Sequence, residues 1–301
     1  MKKSIIVVLV IIIIGVGIYY FTKGSSTNIS VNQNQATTTE TVNSQNNQTP
    51  QNSAVTVIGK SVEGRDILAY NYGIGTTTKL LFVGGIHGGY EWNTALVAYQ
   101  LMDYLKTNPD VIPTNVKVTV IPVLNSDGLN KVVGTTTGNF SQSDVSSSDA
   151  TVVAGRFNSN DVDLNRNFDC DWQTTGKWQS KTVSGGDSAF SEPESQAIKN
   201  YIEKNEPTAV VVWYSAAGGV YSSSCHNGVS AQTDKLTKTF ASASGYPAHE
   251  SFDFYATTGD MVNWLAKINI PAISVLLTNH NDTEWSKNQK GVDAVLKYYS
   301  K

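Results

Sequence analysis

Lys79-Leu80-Leu81-Phe82-Val83-Gly84-Gly85-Ile86-His87-Gly88-Gly89-Tyr90-Glu91 is the stretch from which the architecture of this chain can be read. Its apolar first half ends in two glycines and predicts a short strand. From Glu91 to Leu105, Trp92, Leu96, Tyr99, Leu101, Met102 and Leu105 then recur at roughly helical spacing. A second strand is predicted at Val116 to Pro122. A helix from Ser191 to Lys204 opens as Ser191-Glu192-Pro193-Glu194, with Ser191 as the N-cap and proline near the first turn. Ala209 to Trp213 is continuously apolar, which predicts a strand buried on both faces. Met261 to Ala266 reads as a helix, Pro271 to Leu277 as another buried strand, and Gly291 to Tyr299 as a closing helix. This alternation predicts an α/β domain with a mixed sheet, in which ligands bind beyond the carboxyl ends of the strands.

Composition narrows the function classes. The chain has 301 residues, 16% of them charged and 40% apolar, with a net charge of −3. These values exclude a polybasic nucleic-acid binder, a disulfide-rich miniprotein and a wholly disordered chain. Lys2 and Lys3 precede an uncharged apolar run of seventeen residues, Ile5 to Phe21, that ends in Tyr19, Tyr20 and Phe21 with no small-x-small cleavage site. Residues 1–23 are expected to form an uncleaved signal anchor, lysines in the cytoplasm and the rest of the chain outside. The alternative is a cleaved signal peptide and a secreted chain. In residues 24–54, Asn, Gln, Ser and Thr make up 23 of 31 positions with one charge, Glu40, so a disordered linker is expected there. A self-associating segment is the other reading of that bias. There are no repeats of solenoid period. Residues 55–301 are long enough for one large domain, expected to be a monomer.

Polar clusters fall where strands end. His87 and Glu91 offer a neutral imidazole and a carboxylate that suit a zinc ion, or else a helix cap beside a surface histidine. Gly155-Arg156-Phe157-Asn158-Ser159-Asn160-Asp161-Val162-Asp163-Leu164-Asn165-Arg166-Asn167-Phe168 holds two of only three arginines in the chain, the third being Arg65. Guanidiniums bind carboxylates through planar, bidentate hydrogen bonds, so the stretch reads as an anion site. The competing reading pairs its arginines with Asp161, Asp163 and Asp169 at the surface.

Together these segments resemble the zinc carboxypeptidase family typified by carboxypeptidase A. The resemblance rests on Gly84-Gly85-Ile86-His87 with Glu91, and on Val162-Asp163-Leu164-Asn165-Arg166-Asn167-Phe168. It extends through Gly64-Arg65, Ser126-Asp127-Gly128 and Tyr255 to Trp264. It implies a three-layer α/β sandwich around a mixed sheet of about eight strands, and hydrolysis of a C-terminal amino acid by zinc-activated water. Carried over by position, His87 and Glu91 would be zinc ligands and Arg156 the oxyanion stabiliser. Asn165 and Arg166 would hold the substrate carboxylate, and Tyr255 would close over the substrate.

The chain departs from the family pattern at three places. His87 and Glu91 stand one residue further apart than usual. Tyr214 occupies the position of the third zinc ligand, a histidine, and Leu276 that of the general-base glutamate. A phenol is a poor zinc ligand and leucine accepts no proton. The expectation is therefore a domain that binds peptide C-termini, with cell-wall stem peptides as candidate ligands, zinc binding weakened and peptidase chemistry lost or impaired. One alternative is an active carboxypeptidase with His226 as substitute ligand or Glu284, near His280, as substitute base; another is a structural or adhesion module. His249 and Glu250 read as surface residues. Cys170 and Cys225, the only cysteines, are expected to form a disulfide, with a metal-binding thiol pair as the other possibility.

Overall fold

The computed structural model describes residues 54–301. The predicted anchor, and all of the predicted linker except Ala54, lie outside the described residues. Among those described, no helix is long and apolar enough to cross a membrane. The strands are β1 (Ala54–Lys60), β2 (Asp66–Tyr72), β3 (Thr78–Val83), β4 (Val116–Ile121), β5 (Thr175–Trp178), β6 (Lys181–Ser184), β7 (Ala209–Ser215), β8 (Gly219–Ser222), β9 (Ala248–His249) and β10 (Ala272–Leu277). The helices are α1 (Trp92–Thr107), α2 (Ser126–Val133), α3 (Asp149–Ala154), α4 (Pro193–Asn205), α5 (Ala231–Ser244), α6 (Met261–Lys267) and α7 (Trp285–Tyr298).

Eight strands form one mixed sheet in the order β1-β2-β4-β3-β7-β10-β8-β9, and β5 and β6 form a separate hairpin. Strands β4, β3, β7 and β10 run parallel to one another, so their carboxyl ends lie along one edge. Side-chain alternation explains why these strands carry unbroken apolar runs. Leu81 and Val83 of β3, Val210, Val212 and Tyr214 of β7, and Ala272 and Leu276 of β10 face α4 and α6, which contribute Ile198, Ile202, Met261 and Leu265. The intervening residues, Phe82, Val211, Trp213, Ile273 and Val275 among them, face Leu101, Phe240, Val292 and Leu296 of α1, α5 and α7. Helices on both faces of the sheet make the three-layer sandwich expected from the resemblance.

Two boundaries differ from expectation. Ser191 is not the N-cap of α4. Glu192 takes that position, and the Ser191 hydroxyl donates to Glu192 Oε1 at 2.8 Å and accepts from Asn167 Nδ2. The closing helix starts at Trp285, six residues before Gly291. Cys170 and Cys225 are disulfide-bonded, with Cα atoms 6.2 Å apart across a separation of 55 residues. A loop of that length restricts the unfolded chain by about 4 kcal/mol in the chain-entropy description.

Candidate functional site

Parallel strands that end side by side bring three segments to one cavity of about 680 Å³. Beyond β3 the chain passes into a 3-10 turn, Gly88–Glu91, which presents His87 and Glu91. Tyr214 and Leu276 are the penultimate residues of β7 and β10, and the parallel register pairs them directly. The 163–168 stretch is held against the loop preceding α6, since Phe168 N–H donates to Gly259 O at 3.0 Å and Gly259 N–H to Cys170 O at 2.7 Å. Gly259 has φ +65°, and a Cβ there would stand 2.2 Å from Arg166 O, so this junction requires glycine.

His87, Glu91, Arg156 and Asp163 form a buried ionic cluster. Arg156 Nε donates to Asp163 Oδ2 at 2.9 Å, and Nη2 lies 2.8 Å from the same oxygen. Arg156 Nη1 is 3.7 Å from Glu91 Oε1, and Glu91 Oε2 accepts the Ser215 N–H at 2.9 Å. His87 sits between two carboxylates, Nδ1 2.9 Å from Glu91 Oε1 and Nε2 3.4 Å from Asp163 Oδ1, with neither nitrogen in hydrogen-bonding geometry. Burial pushes the Asp163 carboxyl upward, but Arg156, His87 and Arg166 outweigh it and hold the group far below the usual carboxylate range. Asp163 is thus the buried counter-ion of Arg156 and not a surface partner.

This sets the sign of its pH dependence. Unfolded Asp163 takes up a proton near pH ~3.9 and the folded one only at much lower pH. The stability it contributes is present above that unfolded value and is lost as pH falls below about 4. Urea unfolding of Asp163→Asn should therefore show a smaller loss of stability between pH 5 and pH 3 than the parent does. Asp163→Ala, which leaves Arg156 buried without its counter-ion, should cost about 3–5 kcal/mol at neutral pH.

Arg166 projects from the same stretch. Its Nε and Nη2 donate to Lys177 O at 3.1 and 2.6 Å, and Nη1 donates to Asn165 O at 2.6 Å. The β5 strand lies so close that a Cβ on Gly176 would meet Arg166 Cδ at 2.7 Å. Tyr255 stands over the guanidinium, 5.8 Å from ring centroid to Cζ, and both residues line the cavity. Asn165 is turned more inward than a carboxylate-holding role suggests. Its Nδ2 donates to Asp260 Oδ2 at 2.8 Å, while Oδ1 accepts from Met261 N–H and from the Tyr214 hydroxyl at 3.3 Å. Asp260, 95 residues from Asn165 in sequence, caps α6 through Asn263 N–H. Burial pushes its carboxyl upward.

Of the other predicted residues, His226 is exposed and pairs with Asp171 at 2.9 Å, away from the cavity. Glu284 is also outside it. Its carboxylate accepts from Thr278 N–H and Oγ1, Tyr246 Oη and Lys287 Nζ, and these bonds outweigh burial and hold it below the usual range, unlike a base poised near neutrality. Neither side chain is therefore placed to replace a ligand or a base. His249 is not a free surface group, because it stacks on Tyr221 with centroids 4.5 Å apart. His280 does line the cavity. Arg65, remote in sequence, binds Asp127 at 2.7 Å and so joins two segments that carried the resemblance.

A mixed eight-stranded sheet with a buried ionic cluster and two guanidiniums lining the cavity at its carboxyl edge has the α/β architecture of the carboxypeptidase class. The zinc carboxypeptidase family model matches residues 38–291, and the chain belongs to that family. Similar solved structures include bovine thrombin-activatable fibrinolysis inhibitor in complex with tick carboxypeptidase inhibitor (16% identity, TM-score 0.63, 83% of this chain and 89% of that chain). Murein-tripeptide amidase MpaA from Escherichia coli O157 is 22% identical, with TM-score 0.55 over 81% of this chain and 92% of that one. Carboxypeptidase A from Helicoverpa armigera is 18% identical, with TM-score 0.62 over 83% and 68%. At these identities the likeness establishes the fold. A search of curated proteins finds no match.

The family's zinc can be tested against the side chains present. His87 Nδ1 and Glu91 Oε1 are in direct contact at 2.9 Å, close enough for both to reach one ion after a small separation, and Asp163 lies on the Nε2 side of the imidazole. The third donor is missing. Tyr214 is buried and donates its proton to Asn165, while burial, Asp260 and Glu91 push its phenol well above the usual range and keep it neutral. Among the described residues no three His, Cys, Asp or Glu side chains are grouped to hold a metal ion. Catalytic zinc centres use three protein ligands, so the donor set does not fit.

Proposed function

We propose that the domain recognises the free C-terminal carboxylate of peptides, cell-wall stem peptides among them, outside the membrane, and that its peptidase chemistry is lost or severely weakened. The observation that carries this reading is the pairing of Tyr214 with Leu276 on adjacent strand ends. The missing ligand and the missing base are thus one contiguous wall, while Arg156, Arg166 and Tyr255 still line the cavity. A guanidinium that lines a cavity is suited to a carboxylate. The murein-tripeptide amidase among the similar structures makes stem peptides the first ligands to try.

Calorimetric titration with a tripeptide and its C-terminal amide tests the proposal. The acid should bind at least tenfold more tightly, since charge-assisted hydrogen bonds contribute about 1.5–3 kcal/mol. No C-terminal amino acid should be released with zinc added. Equal affinity for the two ligands, or zinc-dependent release, would sink the reading.

A further inference from the structure

Asn93, Ser215 and His280 form a hydrogen-bond chain whose direction is set at its inner end. Asn93 Nδ2 donates to two backbone carbonyls, Asn279 O at 2.8 Å and Asp282 O at 2.9 Å, which leaves Oδ1 as an acceptor. Ser215 Oγ lies 3.1 Å from Asn93 Oδ1 and gives its single proton there. The same oxygen is 2.7 Å from His280 Nδ1, so the histidine must be the donor in that contact. A neutral imidazole carries one N–H. With the proton on Nδ1, the lone pair is on Nε2.

The ring that carries this lone pair stands in a setting rich in donors. The His280 ring packs on Tyr90, with centroids 4.8 Å apart, and lines the cavity with Arg156 and Arg166. Nε2 has no hydrogen-bond partner among the described residues. Burial, helped by His87 and Arg156 and opposed by Glu91, keeps the ring neutral. A bound peptide offers its carboxylate and carbonyl oxygens to the arginines. Its backbone N–H groups also need acceptors, because a buried donor left unpaired costs affinity. Leu276 supplies none, and the Glu91 carboxylate already serves Ser215 and Arg156.

We propose that His280 Nε2 accepts a hydrogen bond from a backbone N–H of the bound peptide, at one of the two amides preceding its C-terminus. The inference rests on the reading of the site as a peptide C-terminus binder. It makes His280 a ligand-binding residue, with Ser215 and Asn93 as positioning residues that fix its tautomer.

The test uses one tripeptide acid, its C-terminal amide and two depsipeptides in which an ester oxygen replaces each amide N–H in turn, titrated into the parent and into His280→Ala. One ester should bind the parent about five- to tenfold more weakly than the peptide does. In His280→Ala the peptide should weaken to that level and the ester should lose nothing further. The comparison is made between ligands within each protein, so a general effect of the substitution on folding cancels. An ester penalty of the same size in parent and variant, or none in either, overturns the role of His280 while leaving a carboxylate-dependent site intact. Equal affinity for acid and amide overturns both readings.

Discussion

Tyr214→His combined with Leu276→Glu is expected to take up one zinc ion per chain and to release C-terminal amino acids from peptides, where the parent does neither. The register of β7 against β10 sets the two side chains beside one another in the wall of the cavity. His87 and Glu91 already converge to 2.9 Å. A histidine at 214 completes a three-ligand set, and zinc affinity should rise by orders of magnitude. It also frees Asn165 Oδ1 from the Tyr214 hydroxyl and leaves it the Met261 N–H alone.

The two changes should not be additive. Tyr214→His alone should bind zinc and turn over slowly, because proton transfer by a positioned base contributes about 10²–10⁴-fold. Leu276→Glu alone puts a carboxyl at a position now 7% exposed, with no metal-bound water for it to serve. It should lower stability and restore no activity. Zinc content after equilibration with a slight excess of metal, read beside amino-acid release, checks each step. A parent that already holds one tightly bound zinc would show that an unrecognised donor completes the centre, and the account of Tyr214 would fail.

The parts legible in sequence were those with local signals. Strands β3, β7 and β10 are buried on both faces and so carry unbroken apolar runs, which also placed Tyr214 and Leu276 at strand ends. Edge strand β1 is largely exposed and has no such run, and β8 and β9 span four and two residues, so periodicity did not find them. The Ser191 N-cap failed for a tertiary reason: Asn167 and Glu192 claim its hydroxyl. Asp163 was seen but read as a possible surface partner, because nothing in a linear stretch shows that its carboxylate is buried between Arg156 and His87. Asp260 and His280 act across 95 and 65 residues, on Asn165 and on Ser215. No spacing rule reaches that far, and their roles emerge only when the strand ends meet.

Arg166→Ala is expected to abolish the preference for a peptide acid over its amide, and also to lower stability. A purely structural arginine would cost stability alone when replaced, and a purely ligand-binding one affinity alone. The geometry removes that distinction, because the guanidinium holds the Lys177 and Asn165 carbonyls while facing the cavity. Two carbonyls left without partners should cost about 1–3 kcal/mol each, which urea unfolding would register whatever the domain binds. Lysine at this position keeps the charge but cannot satisfy both carbonyls and a planar carboxylate together, so Arg166→Lys should recover part of the stability and little of the selectivity. The deciding quantity is therefore the ratio of acid to amide affinity within one protein. In a carboxylate-binding site that ratio is large in the parent, near one in Arg166→Ala and small in Arg166→Lys. In a structural or adhesion module it is near one in all three, while the stability losses are unchanged.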